Sequence, residues 1–363
     1  MLSRRAILAA TLATSAGATI ATEVGPSPAA SAPGPLRFPV DFGSHPDSRI
    51  EWWYLTGALA AADRSWGFQI TFFRAATGIE GAAESRFAAR QLLFAHAAVT
   101  DLAARRLRHD QRIARSGLGI ADAAVRETTI VLRDWRLSRR GEGSSRYAAH
   151  AASDSAGFAF DLDLMATQPV LLQGQGGVSR KGPAPAQASR YYSEPQLAAR
   201  GTLAIEGRSL TVSGRAWLDH EWSDSFLDPS AVGWDWIGMN LDDGGALTAF
   251  RLRRADGSVL WSGGSHRPVG GPTRDFADGE VVFTSLATWT SPASSARYPV
   301  RWKVATPAGA IEVRALLDDQ ELDSRTSTGA IYWEGLSLLV DGDGRRVGGG
   351  YLEMTGYASR LVL

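Results

Sequence analysis

The stretch Glu51-Trp52-Trp53-Tyr54-Leu55-Thr56-Gly57-Ala58-Leu59 is aromatic and β-favouring, and Ala61-Ala62-Asp63-Arg64-Ser65 breaks it. Beyond the break, Trp66-Gly67-Phe68-Gln69-Ile70-Thr71-Phe72-Phe73 alternates apolar with small or polar residues, so the pair predicts a β-hairpin. The same signal recurs outward at 92–100, 128–137, 146–152, 157–165, 202–205 and 209–218, with polar, Gly- or Asp-containing breaks between. It continues at 233–241, 246–254, 259–261, 281–290, 300–305, 310–316, 331–340 and 347–357, with Asp-Gly turn cues among them. Helical patterning is confined to 84–90 and 105–114, both expected as short helices. Many short strands at near-regular spacing predict an all-β chain of two closed or sandwiched antiparallel β-barrel units, over 41–224 and 225–363, since closure removes exposed sheet edges. The Gly-, Pro- and Ala-rich segment 173–189 is too long for a hairpin and is expected to form a lid or an excursion over a barrel mouth.

Residues 1–21 carry Arg4-Arg5, a short mildly apolar run and small residues for cleavage, the pattern of an export signal of twin-arginine type. Its apolar run is too short and polar to span a bilayer, so no stable membrane insertion is expected after cleavage. The Pro- and Ala-rich stretch 22–40 reads as an unstructured linker, and the mature chain as periplasmic or secreted. Thirty-eight basic and 38 acidic residues leave no net charge and no electrostatic footprint for nucleic acid. The absence of cysteine excludes disulfides, thiolate catalysis and Cys-based metal sites. Twelve tryptophans make the placement of indoles the central question.

Several enzyme classes lack their marks. Ser265 in Gly263-Gly264-Ser265-His266-Arg267 has no closing glycine for a hydrolase elbow, and His220-Glu221 lacks the second histidine of a zinc-binding helix. Gly174-Gln175-Gly176-Gly177 has no nucleotide-binding spacing, so neither metal nor cofactor is expected. What remains is three polar–aromatic clusters: Arg49 to Tyr54, Trp217 to Asp224, and Gly233-Trp234-Asp235-Trp236. Strand alternation puts Glu51 with Trp53 on one face and Trp52 with Tyr54 on the other. It sets His220 and Trp222 opposite Asp219 and Glu221, and Asp235 opposite Trp234 and Trp236. Taken singly, each Trp pair fits core packing, His220 fits a structural hydrogen-bonding role, and Asp219 and Asp224 fit turn positions. Together they place acids and a histidine in Trp-rich sequence, where a buried charge is costly unless paired and an unpaired acid holds its proton.

At these residues the chain resembles the AttH-like family and the related carotenoid 1,2-hydratases, or hydroxyneurosporene synthases. The marks are Glu51-Trp52-Trp53-Tyr54-Leu55-Thr56-Gly57, Ser189-Arg190-Tyr191-Tyr192-Ser193, Gly214 through Trp217-Leu218-Asp219-His220-Glu221-Trp222, and Gly233-Trp234-Asp235-Trp236. The resemblance implies two lipocalin-like barrels enclosing an apolar ligand site. It also implies cofactor-free chemistry in which an acid protonates an isoprenoid double bond and water captures the cation, although fungal pericyclases of similar fold only shape a polyene. His220, Glu221 and Asp235 are then the candidate catalytic residues. Glu51, Trp52, Trp53, Tyr54, Tyr192, Trp217, Trp222, Trp234 and Trp236 are the candidate ligand-binding residues. The expected partners are a lipophilic, isoprenoid- or lipid-like small molecule and an ABC-type exporter that the protein serves as an accessory.

Overall fold

The computed structural model describes residues 34–79 and 88–361, and nearly all regular structure in them is antiparallel β. The first sheet contains β1 (Ile50–Ala61), β2 (Arg64–Ala76), β3 (Gln91–Asp101), β4 (Arg106–Arg115), β5 (Ala121–Ala123), β6 (Thr129–Leu132) and β7 (Trp135–Arg140). It continues with β8 (Arg146–Ser153), β9 (Phe158–Met165), β10 (Leu171–Leu172), β11 (Val178–Arg180), β12 (Ala188–Ile205) and β13 (Arg208–Ser223). The second sheet contains β14 (Ala231–Leu241), β15 (Ala246–Arg254), β16 (Val259–Arg267), β17 (Arg274–Phe276) and β18 (Val282–Thr290). Its remaining strands are β19 (Arg297–Thr306), β20 (Gly309–Ala315), β21 (Glu321–Ser324), β22 (Ala330–Val340) and β23 (Arg346–Met354).

The first sheet runs β4-β3-β2-β1-β13-β12-β9-β8-β7-β6-β5, and β3 and β4 come back against β6, so that it is nearly closed as a barrel. Its interior holds Trp53, Leu55, Trp66, Phe68, Phe72 and Trp135 among other buried side chains. Burying each such residue contributes about 1.5–3 kcal/mol. The second sheet, β17-β16-β15-β14-β23-β22-β20-β19-β18, curls around a separate core that includes Ile237, Phe283, Tyr298 and Trp302. A third apolar cluster lies where the two sheets meet and contains Tyr54, Trp217, Trp236, Phe250, Leu336 and Tyr351. β1 is buried on both faces from Trp53 to Gly57 because one face looks into the barrel and the other meets the second sheet.

The β12–β13 hairpin closes on Glu206 and Gly207, both at positive φ, the conformation a tight two-residue hairpin turn demands. A bulge in β12 between Glu194 and Leu197 swings Gln196 toward the second sheet. There its side-chain amide donates to the carbonyls of Leu241 (2.9 Å) and Gly245 (2.7 Å). Bulges re-aim a side chain in this way, and here the device joins the sheets.

Four expectations need correction. The stretch 105–114 is strand β4 rather than a helix, because its apolar positions are paired across to β3. The run 128–137 is two strands, turned at Arg133, which takes a positive φ. The segment 173–189, expected as a lid or an excursion over a barrel mouth, is in part a strand of the first sheet, since β11 within it pairs with β12. Within the expected linker, Leu36 packs against the first core and the Phe38 ring lies 5.2 Å from that of Tyr192. The expected export signal, most of the expected linker and most of the expected helix at 84–90 lie outside the described residues, and 88–90 are not helical.

Gly57 sits where β1 runs between two neighbours, and a Cβ there would meet the Arg215 carbonyl oxygen at 2.5 Å and the Phe68 ring at 2.7 Å. Gly57→Ala is expected to cost about 1–3 kcal/mol of stability in urea denaturation, and an unchanged midpoint would contradict this packing.

Candidate functional site

The β1–β13 pairing sets Trp53 opposite His220 and Trp52 opposite Glu221, which sorts the clustered residues into two compartments. Inside the first barrel stand Glu51, Trp53, Tyr192, His220 and Trp222. Glu51 Oε1 lies 2.8 Å from His220 Nε2 and 2.7 Å from His45 Nδ1, while Arg74 Nε donates to Oε2 at 2.7 Å. His220 Nδ1 lies 3.1 Å from the Tyr192 hydroxyl, and His45 Nε2 lies 3.3 Å from Asp41. Trp222 stacks on the His45 ring at 3.6 Å and Trp53 on the His220 ring at 4.6 Å. Burial pushes the Glu51 carboxyl up, but the hydrogen bonds from His220 and His45 overrule it and hold the group at about 2. Burial lowers His220 to about 4, so its ring is neutral near pH 7. The donor atoms of His45, Glu51 and His220 lie within 4.8 Å of one another, a set that suits a transition metal. Here they bond to each other, with Arg74 on the second carboxylate oxygen, and form a buried hydrogen-bonded network.

The other face of the same strands borders a cavity of about 280 Å³ between the two sheets. Trp52, Trp234, Trp236, Phe226 and Phe250 supply aromatic wall. Among these apolar groups stand several ionisable ones. Asp219 accepts from Ser193 Oγ at 2.5 Å and from Trp217 Nε1 at 2.8 Å, yet burial outweighs these bonds and raises its carboxyl to about 7. Glu221 pairs with Lys181 Nζ at 2.9 Å and accepts from the Ser189 hydroxyl. The Lys181 ammonium also lies 4.3 Å from the centre of the Phe250 ring. Glu334 and Glu353 stand directly opposite each other on β22 and β23. Burial raises both, and the proximity of Glu353 raises Glu334 further, because adjacent carboxylates in a dry site cannot both ionise.

The three candidate catalytic residues therefore do not converge. His220 faces the barrel interior, and Glu221 faces the cavity. Asp235 faces the second core, where Arg251 Nε donates to it at 2.7 Å and the Tyr357 hydroxyl at 2.8 Å. Alternation along β13 and β14 enforces the separation. Of the candidate ligand-binding residues, Trp52, Tyr54, Trp234 and Trp236 line the cavity, and Glu51 borders it with its carboxylate turned toward His220. Trp217 packs between the sheets behind Asp219, whereas Trp53, Tyr192 and Trp222 belong to the barrel interior. Sequence reasoning missed Glu334, Glu353, Lys181, His96 and Tyr332, and it placed Asp219 in the Trp217 to Asp224 cluster without naming it a site residue, a turn position being its alternative. The isolated acids in Tyr332-Trp333-Glu334-Gly335-Leu336 and Tyr351-Leu352-Glu353-Met354 were a usable signal, since an unpaired carboxylate is costly in a buried strand. Lys181, within a Gly- and Pro-rich stretch, carried none.

The comparisons agree with this architecture. A candidate AttH of Nitrosomonas europaea has a crystal structure that superposes with a TM-score of 0.82 at 46% identity, over 89% of this chain and 98% of that one. Kievitone hydratase of Nectria haematococca shares the fold, with a TM-score of 0.69 at 15% identity over 90% of this chain and 94% of that one. Comparison with curated protein sequences gives no match. The AttH-like profile matches residues 29–357, nearly the whole of the described structure, and the chain belongs to the AttH-like family.

Proposed function

We propose that the protein binds a neutral lipophilic molecule, isoprenoid- or lipid-like, in the cavity between its sheets. The observation that carries this reading is an aromatic cavity whose acids Asp219, Glu334 and Glu353 are all shifted toward their neutral forms. Such a lining accepts apolar surface with little competing charge, while the cations that border it, Lys181 and Arg74, are already paired with Glu221 and Glu51. With the export signal, this describes a periplasmic or secreted carrier, and an accessory role beside an ABC-type exporter follows from the same reading.

A second reading rests on those protonated carboxyls. A carboxylic acid that keeps its proton near neutrality can give it to a carbon–carbon double bond. The cation would be held by the faces of Trp52, Trp234 and Trp236, water would add to it, and the proton would return to the carboxylate. This is cofactor-free hydration, with the proton held by Asp219 or the Glu334–Glu353 pair in place of His220 and Asp235.

Delipidated protein is expected to enhance the fluorescence of the neutral probe N-phenyl-1-naphthylamine on binding, and Trp236→Ala is expected to weaken that binding about tenfold. Equal affinity in wild type and variant would contradict the location. The fold favours protonated Asp219, whose carboxyl rises from 3.8 to about 7, so its contribution to stability is complete below pH 3.8 and is lost as the pH climbs through about 7. Urea midpoints from pH 4 to pH 8 should therefore fall less steeply in Asp219→Asn than in wild type, by a few kcal/mol at most. Parallel profiles would show that Asp219 is ionised across the range.

A further inference from the structure

At the end of the cavity bounded by β1, β2 and β22, three buried wall residues carry polar atoms without hydrogen-bond partners: the Tyr54 hydroxyl, Thr71 Oγ1 and Glu334 Oε1. Tyr54 and Thr71 are paired residues on β1 and β2. Tyr54 and Gln69 approach Glu334 as loose hydrogen-bond partners that lower its proton affinity, but Tyr54 Oη, Gln69 Oε1 and Glu334 Oε1 each lack a partner at full hydrogen-bond geometry. The groups behind them are already engaged. The Tyr332 hydroxyl lies 2.7 Å from His96 Nδ1 and accepts from Gln69 Nε2 at 3.4 Å, while His96 Nε2 lies 2.9 Å from Ser327 Oγ. The neighbouring acids differ: Asp219, paired with Tyr54 across the β1–β13 ladder, and Glu221 are satisfied by Ser193, Trp217, Ser189 and Lys181.

Buried polar atoms are almost always paired, so a cluster of orphans on a cavity wall marks the place of a missing partner. Resting on the reading of the cavity as a lipophilic-ligand site, we infer that its ligand carries a hydroxyl or carbonyl oxygen, which seats between Tyr54, Thr71 and Glu334. The hydroxyls of Tyr54 and Thr71 donate to that oxygen or accept from it, and Glu334, whose carboxyl burial pushes toward its neutral form, adds a further donor where it keeps its proton. Gln69 Oε1, directly behind, accepts from Tyr54 or Glu334 once they turn toward the ligand. A hydrocarbon of the same shape leaves all of these atoms unpaired, and a site built to bond an oxygen rejects such an analogue strongly.

The test compares farnesol with farnesene by tryptophan fluorescence titration of delipidated protein. Wild type should bind farnesol about tenfold or more tightly than farnesene. Tyr54→Phe removes one hydroxyl without changing shape and should cut the preference severalfold. Adding Thr71→Val should nearly abolish it while farnesene affinity is retained. Glu334→Gln, which can still donate a hydrogen bond, should preserve the preference, and circular dichroism melts would confirm that each variant is folded. Equal binding of the two probes by wild type, as when solvent alone satisfies these atoms, overturns the oxygen subsite and leaves the lipophilic cavity standing. Equal loss of both probes in folded Tyr54→Phe overturns it too. Failure of both probes to bind at all overturns the subsite and the cavity reading together.

Discussion

In the β1–β13 ladder Trp53 stands opposite His220 and Trp52 opposite Glu221, and a slip of one residue would exchange the two sets between barrel interior and cavity. The charge of Glu51 is what makes such a slip costly. Its carboxylate is completed by Arg74, His45 and His220, which come from β2, the N-terminal segment and β13, and no other register of these strands brings all four together. Moving Glu51 to the other face would strand both its charge and that of Arg74, which is only 1% exposed. The ionic knot inside the barrel thereby fixes which aromatic residues face the second sheet.

From that register follows the electrostatic contrast between the two compartments. Inside the barrel, hydrogen bonds hold the Glu51 carboxyl down to about 2 despite its burial. Across the strand, carboxyls have fewer such donors, and burial carries Asp219 up to about 7. The same residue class thus serves as fixed charge on one face of β1 and β13 and as retained proton on the other. The bulge at Gln196 and the apolar cluster of Tyr54, Trp217 and Trp236 hold the second sheet over that proton-bearing face. The cavity is therefore a product of both sheets, and neither forms it alone.

Much of this was legible in the residues themselves. The hairpin of Glu51 to Phe73, the Glu206-Gly207 turn and the alternation of Trp52 against Trp53 are local properties, and each is present in the structure. What alternation leaves open is what each face meets, because that depends on strands distant in the chain. Trp53, Tyr192 and Trp222 belong to the barrel interior, whereas Trp52, Trp234 and Trp236 line the cavity, although all sit in similar Trp-rich sequence. Of the two readings open for Asp219, strand position or turn, the structure has the first, because β13 runs on to Ser223. The Glu334–Glu353 pair arises from the register of β22 against β23, which joins residues that are remote from the motifs around Trp217 and Trp234.

The central claim is that ligands enter between the sheets rather than inside the first barrel, as lipocalin-like barrels commonly hold theirs. Anomalous diffraction from crystals grown with a brominated long-chain alcohol tests it most directly. The expected bromine peak lies in the space bounded by Trp52, Trp234 and Trp236, with the alcohol oxygen toward Tyr54 and Thr71. A peak beside Trp53 and Trp222, within the barrel interior, would contradict it.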